Sequence, residues 1–138
     1  MADVHDPETR SYNMSRIRGK DTKPEMMVRK YLFSLGFRYR LHDKRLPGKP
    51  DLVLPKYKTV IFVHGCFWHG HEGCKYFVLP KTRSEWWETK INATRTKDEI
   101  NLNKLKELGW RVMTVYECDL KKDKRSLTLR QIADNIKT

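Results

Sequence analysis

Between Glu25 and Leu35 the apolar residues Met27, Val28, Tyr31, Leu32 and Leu35 fall three and four apart, which is the spacing of one helix face. Asp21 and Thr22 offer caps, Pro24 suits a first turn and Gly36 an end, so the pattern predicts a helix between them. Glu25 falls on or beside the apolar face, and its spacing favours an edge charge. Residues 37–42 (FRYRLH) alternate apolar and basic side chains, as in a strand that buries one face and turns Arg38 and Arg40 outward. A basic, turn-rich loop over residues 44–50 then delivers the chain to Asp51, directly ahead of the apolar run Leu52-Val53-Leu54. Residues 55–58 turn it into a second apolar run, 59–64, expected to be the antiparallel partner of the first. Further on, Ser84 can cap a long helix reaching Leu108 and stopped by Gly109. Its apolar residues Trp87, Ile91, Leu102, Leu105 and Leu108 keep no single stripe, which predicts a bend or break near residues 92–96. Residues 111–116 (RVMTVY) predict a last strand running on toward Cys118, and Leu129, Ile132 and Ile136 a short closing helix.

The order helix, three strands, helix, strand, helix implies an α/β or α+β fold, a mixed sheet covered by the two main helices. A length of 138 residues fits one domain over residues 1–138. Residues 1–21 offer little to a core: Arg10, Arg16, Arg18 and Lys20 surround the isolated apolar residues Met14 and Ile17. That composition suits a basic arm that follows phosphates and pushes an apolar wedge between base steps, although a solvated terminus would look the same.

Charge sharpens this expectation. Lysine and arginine number 29 against 17 aspartates and glutamates, a formal net charge of +12. A compact domain this basic attracts polyanions, nucleic acid above all. No basic amphipathic helix or apolar run of membrane-spanning length is evident, and the N-terminus has no secretory h-region, so the expected setting is the cytoplasm, with no membrane partner. Three cysteines in a reducing compartment point to metal binding or plain burial, not to disulfides.

The candidate chemistry gathers where the strand of residues 59–64 runs out. Cys66, His71 and Cys74 lie in one loop, with two residues between His71 and Cys74 in H-x-x-C spacing, and Cys118 is available from the end of the last strand. Together they make a Cys₃His set for a closed, structural Zn²⁺ site. His64 and His69 compete for the histidine position; His71 is preferred because it forms the tighter chelate loop with Cys74. Asp51 heads a strand paired with the one ending at His64, so a carboxylate and the imidazoles of His64 and His69 can converge at one sheet end. Asp51, a main-chain carbonyl near Val63 and a substrate phosphate would suit Mg²⁺, with an imidazole to take a proton from water. Phe67 and Trp68 in the loop, and Trp86 and Trp87 beyond it, can stack on or insert between bases, or else cap the core.

These residues carry a resemblance. Residues 1–6 (MADVHD), Asn13-Met14, 46–51 (LPGKPD), 62–69 (FVHGCFWH), 107–110 (ELGW) and Glu117-Cys118 resemble the bacterial very short patch repair endonucleases over nearly the whole chain. The resemblance implies a restriction-endonuclease-like fold and a Mg²⁺-dependent enzyme that nicks one DNA strand 5′ of the thymine in a T·G mismatch left by deamination of 5-methylcytosine. It implies that Asp51 carries Mg²⁺, with Val63 contributing its backbone carbonyl, that His69 accepts a proton near the attacking water, and that His64 works on the phosphate side. Glu25 is promoted to an auxiliary site residue. Cys66, His71, Cys74 and Cys118 become the Zn²⁺ ligands. Phe67, Trp68 and Trp87 become the major-groove wedge, and Met14 and Ile17, flanked by Arg16 and Arg18, part of a minor-groove arm. One extra residue around residues 70–73 makes Trp87, not Trp86, the aligned wedge. Phe62 and His64 stand where related nucleases have a second acid and a lysine. The expected partner is double-stranded DNA bearing a T·G pair, met by a monomer in the bacterial cytoplasm at the nucleoid, with repair proteins acting on the nick. The competing hypothesis is a zinc-stapled DNA-binding module that recognises distorted duplex without cutting it.

Overall fold

The computed structural model describes residues 22–138. The first helix, α1, spans Lys23–Ser34. Thr22 caps it, its hydroxyl accepting from the Glu25 N–H at 3.4 Å. The end is a Schellman motif: the Phe37 N–H donates to the Leu32 carbonyl and the Gly36 N–H to that of Phe33, with Gly36 at φ 92°. Leu35 sits at the cap itself and is therefore exposed, not part of the buried stripe its spacing suggests.

Of the alternating run 37–42 only Arg40–Leu41 is paired, as β1. Phe37 is buried and Arg38 and Arg40 exposed, so the alternation holds while the pairing does not extend. His42, at φ 50°, turns the backbone out of the extended region and ends the strand. β2 (Leu52–Leu54) and β3 (Thr59–His64) are antiparallel and joined by a 3-10 turn at Pro55–Tyr57, as expected. β4 (Arg111–Tyr116) lies parallel to β3, with Thr59 opposite Arg111 and His64 opposite Tyr116. The sheet is mixed, in the order β1-β2-β3-β4.

Between β3 and β4 runs α2, Ser84–Glu107, one continuous helix of 24 residues without the expected break. Ser84 is its first residue, not its cap; Arg83 precedes it with no capping side chain. A second Schellman motif closes it, the Trp110 N–H on the Leu105 carbonyl and the Gly109 N–H on that of Lys106, and it leaves Leu108 exposed just as Leu35 is. After a 3-10 turn at Glu117–Leu120, α3 (Arg125–Lys137) closes the chain.

Strand alternation splits the core in two. Leu52, Leu54, Ile61 and Val115 face one way and bury against Val28 and Leu32 of α1 and Leu129, Ile132 and Ile136 of α3. Val53 and Val60 face the other way, against Leu105 of α2. The long helix therefore covers one face alone, and the short closing helix joins α1 on the other. The arm residues Met14, Arg16, Ile17 and Arg18 lie outside the described residues. No helix among the described residues is long and apolar enough to cross a membrane.

Candidate active site and metal centre

A cleft of about 710 Å³ opens where β2 and β3 present Asp51 and His64, and it is lined by two groups of titratable side chains. The first is His42 and Asp51, with the buried Glu25 grouped behind them. One Asp51 oxygen, Oδ2, accepts the Val63 N–H at 2.7 Å. Burial pushes the Asp51 carboxyl up to about 6, the Val63 N–H opposes this, and the neighbouring Glu25 adds to it. Glu25 is 1% exposed, which corrects the edge-charge reading of its spacing: its position on α1 buries it beside His42. There it lies 3.2 Å from an Arg29 nitrogen and 3.0 Å from His42 Nε2.

The second group is His64, His69 and Asp98. The two imidazoles stack with centroids 3.6 Å apart and planes 4° apart. His69 Nδ1 lies 2.6 Å from Asp98 Oδ2. Burial drives His64 down to about 4, helped by the neighbouring His69, with Asp98 pulling the other way, so His64 is neutral at neutral pH. The positive charge at the cleft comes instead from Lys44 and Lys49.

Sequence reasoning missed His42 and Asp98, and both had a signal. Leu41 pairs with Leu52 in the β1–β2 register, so the next residue, His42, falls opposite Asp51, and its N–H donates to the Asp51 carbonyl at 3.1 Å. Asp98 is seven residues beyond Ile91 and seven before Leu105, both buried, and so shares their helix face. Arg95 is on that face too, and it donates through Nε (2.9 Å) and Nη2 (2.6 Å) to the Gly70 carbonyl. The polar interruption that suggested a bend is where α2 holds the loop after β3 and meets His69.

That loop carries the other cluster. One ligand atom each from Cys66, His71, Cys74 and Cys118 lies within 4.8 Å of all the others. Cys118 Sγ and His71 Nδ1 are 3.4 Å apart. Ligands bound tetrahedrally to one Zn²⁺ would stand about 3.5–3.8 Å apart, so the donor set fits that ion in number, chemistry and spacing. Burial pushes the Cys66 thiol up to about 12, so a thiolate there needs a cation beside it. Tyr116 stacks on His71 at 3.8 Å, and the Cys66 N–H donates to Glu117 Oε1. His64 and His69 belong to the cleft and not to this cluster. Gly70, at φ 57°, allows the turn between the two centres: a Cβ there would collide with the Arg95 side chain and Ile91.

Phe67, Trp68 and Trp87 form one half-buried ring cluster with centroids 5.4–5.7 Å apart. Trp86 packs edge-on against Trp87 at 4.8 Å but is 45% exposed beneath Arg83 and Lys90, so it does not cap the core.

The family model of the DNA mismatch endonuclease Vsr matches residues 2–75. The Type II nicking enzyme V.XorIIP of Xanthomonas oryzae is 50% identical over 120 residues, 87% of this chain and 88% of its own. V.NmeAIP of Neisseria meningitidis, also a Type II nicking enzyme, is 44% identical over 99% of this chain and 100% of its own. The DNA mismatch endonuclease Vsr of Escherichia coli is 47% identical over 88% of this chain and 77% of its own. With its mixed sheet as a restriction-endonuclease-like core, the chain belongs to the Vsr family of DNA mismatch endonucleases.

Proposed function

We propose that this protein is a Mg²⁺-dependent endonuclease that nicks one strand 5′ of the thymine in T·G mismatches arising from 5-methylcytosine deamination. The observation that carries this reading is that Asp51, with the buried Glu25 grouped beside it, and an imidazole braced by a carboxylate, His69 with Asp98, meet at one cleft, which Asp51, His69 and Asp98 line. Two carboxylates held in low dielectric fit a divalent cation, whose charge offsets their burial. Asp51 and the Val63 carbonyl would hold Mg²⁺, Glu25 assisting; the bound ion supplies charge to a phosphate oxygen and acidity to a water.

His69 has its tautomer set by its partner. With Nδ1–H donated to Asp98, Nε2 is the acceptor, and it takes the proton of the attacking water. Asp98, half-buried, orients the ring and steadies the imidazolium that results. His64, neutral and stacked on His69, acts on the phosphate side as a hydrogen-bonding group, and Lys44 and Lys49 supply the positive charge that a lysine supplies in related nucleases.

Cys66, His71, Cys74 and Cys118 hold a structural Zn²⁺, a closed set with no open position, and so fix the loop and do not react. The rings of Phe67, Trp68 and Trp87 then form the wedge that enters the stack at the mismatch from the major groove. The whole chain is one endonuclease domain acting as a monomer in the cytoplasm, residues 1–21 its DNA-contacting arm, with Met14 and Ile17 in the minor groove and Arg16 and Arg18 on phosphates. Repair proteins take over the nicked product.

The test is a duplex bearing one T·G pair, labelled separately on each strand, incubated with Mg²⁺ or with EDTA. A single metal-dependent nick 5′ of the thymine is expected. Absence of any metal-dependent nick in either strand, with duplex binding retained, would leave the binding-module reading instead.

A further inference from the structure

His42 enters the cleft by a route that costs backbone freedom. It sits at φ 50°, a left-handed conformation that side-chain-bearing residues rarely adopt, one step past the β1–β2 register. The result is a ring placed between two carboxylates: Nε2 lies 3.0 Å from Glu25 Oε2 and Nδ1 lies 3.8 Å from Asp51 Oδ1. Asp51 has already committed Oδ2 to the Val63 N–H, so Oδ1 is the oxygen that faces His42. A separation of 3.8 Å is too long for a hydrogen bond and suits two donors on one ion, since ligands about 2.1 Å from a common metal lie about 3–4 Å apart. One donor atom from each of Glu25, His42 and Asp51 falls within 4.8 Å of the other two.

We propose that His42 is a nitrogen ligand of the cleft's divalent-cation site and gives that site a preference for a transition ion such as Mn²⁺ over Mg²⁺. The inference rests on the reading of the cleft as metal-dependent and adds a ligand to it. Mg²⁺ takes oxygen donors and keeps much of its water, whereas imidazole suits transition ions. With Nδ1 on the ion beside Asp51 and Nε2 facing Glu25, a site that includes one imidazole nitrogen therefore discriminates between ions that a site of oxygens alone would treat more evenly.

The test uses the full chain with Mn²⁺ alone as probe, followed by electron paramagnetic resonance and competed with Mg²⁺. The spin-echo signal of bound Mn²⁺ should carry modulation from an imidazole nitrogen, and ¹⁵N-histidine labelling of the unmutated protein should change its frequency. His42→Asn, chosen because asparagine tolerates left-handed backbone, should lose the modulation. It should also weaken Mn²⁺ binding by about 10-fold and Mg²⁺ binding by less than about twofold. His42→Gln serves as the second variant. Modulation that survives in both variants, or that disappears instead in His69→Asn, overturns the assignment, as does an equal loss of affinity for the two ions. Asp51→Asn separates the two levels of the argument. If it keeps tight Mn²⁺ binding, the metal-dependent reading of the cleft falls. If it loses binding while His42→Asn keeps the nitrogen signal, only the role of His42 falls.

Discussion

His64 and Cys66 stand two positions apart at the end of β3, and the centres they serve are built on opposite terms. The Cys/His cluster draws its four donors from the loop after β3 and from the turn after β4, and its donor atoms lie close enough together that one ion could satisfy all of them. In the cleft, burial works against the charged forms of two groups. Asp51 is held where burial favours its protonated form, and His64 where burial favours its neutral form with Nδ1 buried and unpartnered. A closed cluster converts burial into rigidity; an open cleft keeps the cost of burial available to be relieved by a cation and a phosphate. Since Gly70 and Arg95 tie the loop of the first to the helix face of the second, the rigid centre locates the uncomfortable one.

The largest effect expected from breaking this pairing is loss of the metal that we propose for the cluster. Stripping it with a strong chelator, or replacing Cys118 by Ser, should lower the melting temperature by about 10 °C or more, because binding to a preformed donor set is folding free energy. Metal analysis should find about one Zn²⁺ per chain beforehand. Duplex binding and nicking should fall together, since the ring cluster and His69 share the loop. A zinc-free protein whose melting point does not respond to chelation would show the cluster to be plain buried thiols.

Asp51→Asn should act on the cleft with opposite signs for activity and stability. The folded carboxyl, near 6, lies above its ordinary 3.8, so the stability it contributes is present below about 3.8 and is lost as pH rises through 6. At pH 7 in EDTA the neutral isostere should therefore be more stable than the native protein by about 1–3 kcal/mol. Nicking should drop by at least about 10³-fold while duplex binding survives. Mg²⁺ should raise the melting temperature of the native protein and not that of the variant. Chemical denaturation with and without Mg²⁺ measures this; a variant less stable than the native protein would make Asp51 a structural residue.

How much of this could be read in the sequence follows the same division. The closed cluster was legible because its ligands are chemically rare and three of them share one short loop, so spacing alone nearly specifies it. The strands around Asp51 were legible because their apolar runs are short and bounded by turn residues. The cleft was harder, since its members are common residue types brought together by pairing across the sheet. His42 meets Asp51 only once the β1–β2 register is known, and Glu25 meets His42 only when α1 is packed. On α2 the rule that reads helices misled: the apolar residues from Trp87 to Leu108 keep no single stripe and suggested a bend near residues 92–96, because an apolar-face template has no way to score polar side chains, such as Arg95 and Asp98, that serve a site from a continuous helix.

The smallest effect, and the one that compares burial of an acid with burial of a base inside the cleft, is the response to mild acid. His64 has a folded value near 4 against its ordinary 6.5, so the stability it contributes is present above 6.5 and is lost as pH falls toward 4. Asp51 gains over much of the same window as it takes up its proton. Between pH 7 and pH 5 the two trends oppose, and their sum in the native protein should be a loss of less than about 1 kcal/mol. In Asp51→Asn the compensating gain is gone, and the same change of pH should cost about 2 kcal/mol. Adding His64→Phe to that variant should flatten the profile again. Urea titrations of the three proteins at several pH values, without divalent metal, measure the differences directly, and terms common to all three cancel. Parallel profiles for the native protein and Asp51→Asn would mean that the cleft does not hold its acid and its base in opposed states, and that its charges are satisfied before any ion arrives.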